Sequence, residues 1–151
     1  MIRKITAADV PAIKNLIDVS AKKNKVLPRS LNSIYEHMRD FFVYEENGKI
    51  LGCAAFHVVW ENLGEVRSVV VSEEARGRGA GKKLVEECAR EAAELKVNKV
   101  FLLTEIPGFF EKLGFVQVDK SLLPHKIWSD CVDCVHFPDC CEVAMVKEIQ
   151  G

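Results

Sequence analysis

The stretch VVVSEEARGRGAGKKLVEECA, Val69–Ala89, decides how this chain is read. An apolar, β-branched run ends at Val71 and reads as a strand. A turn carrying Gly77, Gly79 and Gly81 among Arg76 and Arg78 follows it. Ala80, Leu84, Val85, Cys88, Ala89 and Ala92 then recur on one face of a helix. Glycines let backbone N–H groups approach a ligand closely. The first amides of a helix have no partner inside it and favour phosphate oxygens. Strand, glycine turn and helix together therefore point to diphosphate binding. The plain alternative is a glycine-rich turn with solvated arginines. The lysine and hydroxyl of GxxxxGK[ST] are missing, so this is not a P-loop. The spacing RGRGAG also departs from GxGxxG, and no early βαβ unit surrounds it.

Working outward, Thr6 is a helix cap with Asp9 in the first turn, ahead of Val10, Ile13, Leu16 and Ile17 at helical spacing. Pro28 breaks the loop that follows. Ser30 caps a second helix whose apolar set is Leu31, Ile34, Tyr35 and Met38. Phe41–Tyr44 and Ile50–Trp60 read as strands joined by an Asn47-Gly48 hairpin turn. Glu65–Val71 is the next strand, and Val100–Leu103 another. Pro107 starts a short helix that Gly114 ends in a left-handed conformation. Phe115–Val118 and Glu142–Val146 close the set. Helices, an antiparallel group, then strand–helix–strand–helix–strand predict a mixed α/β domain of three layers.

The 151 residues fit one domain, 1–151, with a cysteine-rich segment 128–141 before the last strand. With 21 basic and 22 acidic residues the net charge is −1. No basic block advertises nucleic acid or an anionic membrane. No apolar run reaches the roughly 18 residues that suggest a spanning helix. The opening MIRKITAADV turns polar at once and lacks the apolar core of a signal peptide, so a cytoplasmic protein is expected.

Here a family resemblance enters. Arg76-Gly77-Arg78-Gly79-Ala80-Gly81 resembles the [R/Q]xxGx[G/A] motif of the GNAT acetyltransferase superfamily, and Phe109–Phe115, FFEKLGF, resembles its second hallmark. The resemblance covers nearly the whole chain and implies the three-layer, mixed-sheet acyl-CoA N-acyltransferase fold. LPRS at Leu27–Ser30, GEVRSVVV at Gly64–Val71, VFLLTE at Val100–Glu105, VDKSLLP at Val118–Pro124 and EVAMV at Glu142–Val146 are similar to the acetyltransferase domain of bacterial N-acetylglutamate synthases. The tail KIWSDCVDCVHFPDCCEVAM resembles the short, single-domain members.

The resemblance implies acetyl-CoA as co-substrate, L-glutamate as acceptor, a place at the start of arginine biosynthesis, and a homodimer to which an exposed final strand contributes. Backbone groups of Arg76, Gly77, Arg78, Gly79, Ala80 and Gly81 would hold the CoA diphosphate, and Val71 the pantetheine arm. The Val69 or Val70 amide would stabilise the oxyanion. Glu65 stands where several relatives carry the general base, and it shares a strand face with Arg67, with which it can simply pair. Arg29 matches an arginine that contacts substrate glutamate, and the guanidinium fork suits carboxylates. Arg67, Thr104 and Lys126 complete the candidate acceptor set. The longer synthases carry further basic and serine contacts where this chain has Pro138-Asp139-Cys140-Cys141. Many relatives also place a proton-donating tyrosine where this chain has Phe110. His57 and His125 read as structural or exposed rather than catalytic.

Cys131, Cys134 and Cys140, with His136 among them, resemble part of a zinc site. A single CxxC carries that signal, and a thiol-lined loop or redox pair is the alternative; any metal here would be structural. In a reducing compartment free thiols or metal are favoured over disulfides. Against glutamate stand other amines, namely a peptide N-terminus, lysine or polyamine, and a non-enzymatic CoA-binding regulator.

Overall fold

A computed structural model describes residues 1–23, 26–120 and 143–149. Among them, strands β1 (Ile2–Lys4), β2 (Phe41–Glu46), β3 (Lys49–Trp60), β4 (Leu63–Val71), β5 (Lys99–Thr104), β6 (Val116–Val118) and β7 (Val143–Glu148) form one sheet in the order β1-β2-β3-β4-β5-β7-β6. Pairing is antiparallel except between β4 and β5, which run parallel. Helices α1 (Val10–Lys22) and α2 (Leu31–Glu36) cover one face, and α3 (Ala80–Glu94) the other; α4 (Pro107–Glu111) follows β5. The predicted three-layer GNAT fold is the one observed.

Local chemistry explains the elements. Asn47 and Gly48 adopt φ of 52° and 76°, the left-handed pair that a tight hairpin needs. The Ser30 hydroxyl accepts the Ser33 amide at 3.0 Å and caps α2 as predicted. Asp9 accepts the Thr6 amide at 2.7 Å and a forked pair from Arg3 at 2.8 and 3.1 Å, fixing the entry to α1 against β1. α1 buries Val10, Ile13 and Ile17 against Phe41, Val43, Cys53, Ala55 and Val70. α3 buries Leu84, Val85 and Cys88 against Phe42, Ala54, Phe56 and Val66.

Four expectations change. β1 is an additional strand whose three residues are too few to show a period. α2 stops at Glu36 and buries Ile34, while Leu31 and Tyr35 are exposed. Met38 falls beyond the end of the helix, so the apolar stripe is cut short and Ile34 alone of the set is buried. The final strand is not exposed at an edge. β7 lies between β5 and β6, hydrogen-bonded on both sides, so it offers no free ladder to a second copy.

The fourth change lies inside β4. Cys53 pairs with Val70 and Ala55 with Arg67, so Ser68 and Val69 together oppose Ala54. Ser68 has φ of 55°, a left-handed conformation rare for serine. This is a β-bulge, and it reverses the alternation of side chains. Arg67 and Val70 consequently leave by the same face.

Candidate active site

The glycine turn is built as the sequence predicts. Gly77 and Gly79 have φ of 81° and 76°, and a Cβ on either would meet no heavy atom within 4 Å. The space above the turn is therefore open, and glycine is required there by conformation rather than by crowding. Gly79 is the N-cap of α3 and its carbonyl accepts the Lys83 amide at 3.0 Å. The amides of Ala80, Gly81 and Lys82 precede the first helical bond and have no acceptor within the helix. Gly81 packs closely: a Cβ there would lie 3.2 Å from Phe109 Cζ and 3.6 Å from Val71 Cγ2. Arg76 is exposed, and Arg78 bonds Glu46 at 2.7 Å. Open space, converging amides and flanking cations fit a diphosphate.

Val71 delivers the chain into this turn from a strand that has parted from its neighbour. β4 and β5 pair at Gly64–Val100 and Glu65–Phe101, and their pairing ends there. A wedge opens beyond Glu65, with Val69, Val70 and Val71 along one side. The bulge falls in this stretch, and an extra residue in a bulge leaves its amide outside the regular ladder. At the root of the wedge Gly64 is indispensable, because a Cβ would lie 2.3 Å from the buried Phe56 ring.

The polar cluster stands on the α1–α2 face. Glu65 lies opposite His57 and Arg67 opposite Ala55, so these side chains share one face of the sheet. Arg67 Nη1 is 3.5 Å from Glu65 Oε1, with side chains 23% and 16% exposed. Arg67 Nε is buried without a hydrogen-bond partner among the described residues. Arg29 arrives from the loop before α2. Its Nη2 donates to Ser33 Oγ at 2.9 Å and its guanidinium lies 5.5 Å from the Phe41 ring centre. Burial, then repulsion by Arg67, lowers the Arg29 pKa to about 10, against the pull of Glu65 and Asp40. Arg29 still carries its charge at neutral pH, so the two guanidiniums stand near enough to repel each other. Such a pair is complementary to an anionic ligand placed between them. Below it, burial pushes the Cys53 thiol up to about 12, so this residue is an inert core thiol.

The structure thus brings Arg29, Arg67 and Glu65 together. Thr104 is not with them. It is buried on the α3–α4 side of β5, where its Oγ1 accepts the Ile106 amide at 2.9 Å. Phe110 is a core residue, edge-on to Phe109 and Phe115. Lys126, Cys131, Cys134, Cys140, His125 and His136 lie outside the described residues. Among the described residues no group of His, Cys, Asp and Glu is arranged to hold a metal ion, and no helix is long and apolar enough to cross a membrane.

Residues 13–115 match the acetyltransferase (GNAT) family. The chain belongs to the GNAT family of acetyltransferases. It is 40% identical to an "uncharacterized N-acetyltransferase" of Chlorobaculum tepidum over 98% of this chain and 96% of that one. It is 35% identical to the amino-acid acetyltransferase of Mycobacterium tuberculosis over 86% of this chain and 76% of the relative. A Mycobacterium tuberculosis protein solved in complex with CoA and NLQ superposes with a TM-score of 0.84 at 30% identity, over 99% of both chains. An N-acetylglutamate synthase of Neisseria gonorrhoeae, complexed with coenzyme A and N-acetyl-glutamate, superposes with a TM-score of 0.92 over 100% of this chain and 35% of that one. At 24% identity that likeness is one of fold. This GNAT protein is thus structurally close to bacterial amino-acid acetyltransferases and N-acetylglutamate synthases.

His57, expected to be structural or exposed, belongs to the polar cluster, and its pairing with Asp40 is not foreseen from the sequence. His57 Nδ1 meets Asp40 Oδ2 at 2.7 Å, and His37 packs edge-on against the His57 ring at 5.2 Å. Asp40 lies 17 positions before His57, and no local motif links them.

Proposed function

We propose that this GNAT protein transfers the acetyl group of acetyl-CoA to the α-amine of L-glutamate, giving N-acetyl-L-glutamate and CoA. The observation that carries the acceptor is the paired Arg29 and Arg67 on the face that bears Glu65. A dicarboxylate offers two anions to two half-buried guanidiniums, one of them with a buried N–H awaiting an acceptor. A lysine, polyamine or peptide N-terminus would bring further positive charge, or none to match, against the same arginines. The relatives called amino-acid acetyltransferases support this choice.

In this reading the amides of Gly77 to Gly81 hold the CoA diphosphate, with Arg76 and Arg78 at its flank. Val71 receives the pantetheine arm in the wedge. The amide of Val69 or Val70 polarises the thioester carbonyl and stabilises the oxyanion that forms. Glu65 faces the α-ammonium and assists the loss of its proton, directly or through water. Lys126 is a further anchor for the acceptor. With Phe110 in the core, the leaving thiolate takes its proton from water or from the reacting nitrogen. The protein works in the cytoplasm as a homodimer, and Cys131, Cys134 and Cys140, with His136 as the fourth ligand, would hold a structural zinc. Elemental analysis of the purified protein beside Cys134→Ser tests that last assignment; metal-free protein that folds normally removes it.

An acceptor screen tests the main reading. Glutamate, glutamine, aspartate, lysine, spermidine and a peptide with a free N-terminus are each offered with acetyl-CoA, and free CoA is read. Turnover preferring glutamate is expected. Equal rates with unrelated amines, or release of no CoA, would reject it.

A further inference from the structure

We infer that His57, oriented by Asp40, is the group that finally accepts the proton of the acceptor's ammonium. The inference rests on the reading of this face as the acceptor site. His57 lies opposite Glu65 across the β3–β4 pair, where facing Cβ atoms are about 5 Å apart. It is therefore on the acceptor face and at the root of the wedge. Asp40 Oδ2 stands 2.7 Å from Nδ1. A carboxylate there holds the proton on Nδ1 and leaves Nε2 as the acceptor nitrogen. Nε2 makes no hydrogen bond among the described residues, and the side chain is 31% exposed, so a small polar ligand can reach it. The ring is also held from behind, by His37, whose own Nδ1 is engaged with the Ser33 carbonyl at 2.8 Å.

Glu65 is already engaged, 3.5 Å from Arg67. To act alone it would have to hold a guanidinium and take a proton with the same carboxylate. His57 divides that work. Glu65 holds the ammonium by charge, and Nε2 takes one proton from it, which frees the nitrogen lone pair. That lone pair forms the C–N bond at the thioester carbonyl carbon. Collapse of the tetrahedral oxyanion breaks the C–S bond. One of the two protons left on nitrogen goes to the thiolate, giving CoASH, and the other remains on the amide. The imidazolium returns its proton to solvent, and Asp40 stabilises it in the interval.

The test uses His57→Ala, His57→Gln and Asp40→Asn, each checked for CoA affinity as a measure of intact fold. The acceptor is whichever amine the wild type turns over in the screen above, so failure of the glutamate assignment leaves this test standing. His57→Ala and His57→Gln are expected to lower kcat about 100-fold, the usual scale for a positioned general base, with acetyl-CoA KM unchanged. Added imidazole restores turnover to His57→Ala in proportion to its concentration, which a packing role would not do. Asp40→Asn lowers kcat about 10-fold with CoA affinity kept. Variants that keep wild-type kcat, or a loss that imidazole leaves untouched, overturn the inference. A wild type that acetylates no amine overturns it together with the function it rests on.

Discussion

The glycine turn and the polar cluster are two ways of making a site. The turn is one contiguous segment, Val71–Gly81, and works through backbone: left-handed glycines and the unpaired amides of α3. The cluster is made of side chains from separate places, Arg29 before α2, Asp40 before β2, His57 on β3, and Glu65 and Arg67 on β4. A backbone site recognises what all its ligands share, here the diphosphate we propose. A side-chain site recognises what distinguishes one ligand from another. The family is therefore legible in the turn and the specificity in the cluster, and the β4 bulge joins them: it follows Arg67 directly and puts Val70 on the same face as the strand runs on to the glycines.

Breaking one region should spare the other. The largest effect is expected from Arg67→Ala, which removes a half-buried guanidinium and raises the KM of the proposed acceptor, glutamate, about 100-fold. Acetyl-CoA KM should stay within about twofold. Arg29→Ala should act in the same direction but less, about 10-fold, because Arg29 stands at the loop and Arg67 remains. Equal changes in both KM values would dissolve the distinction. Gly64→Ala sharpens it from below, by overfilling the point where β4 and β5 part. The buried Phe56 ring must move, and a loss of about 2 kcal/mol in chemical denaturation is expected.

The smallest effect lies outside both regions. Arg3 holds the Asp9 carboxyl down to about 2 from 3.8, assisted by Thr6. Its folded pKa is depressed, so the stabilisation is full above about pH 4 and disappears as pH falls toward 2. Thermal melts between pH 5 and pH 2.5 should show the wild type losing more stability than Asp9→Asn.

What the sequence disclosed follows the same division. Asn47-Gly48, Ser30 and the glycines of Arg76–Gly81 act locally, so their chemistry is visible in adjacent letters. The cluster depends on register. Counting outward from the Trp60–Leu63 pair would set His57 opposite Val66 and away from Glu65. An irregularity between Val58 and Trp60 moves it to Glu65. A shift of one residue changes the face, and neither it nor the Ser68 bulge has a sequence signal of its own. β1 was hidden by its length, and the interior place of β7 by the crossover that inserts it between β5 and β6.

The most direct test measures both KM values in two variants, Gly79→Val and Arg67→Ala. Valine at a φ of 76° is strained and misplaces the first amides of α3. Gly79→Val should raise acetyl-CoA KM at least 10-fold and leave glutamate KM near wild type, and Arg67→Ala should do the reverse. An Arg67→Ala enzyme whose glutamate KM is unchanged would contradict the account.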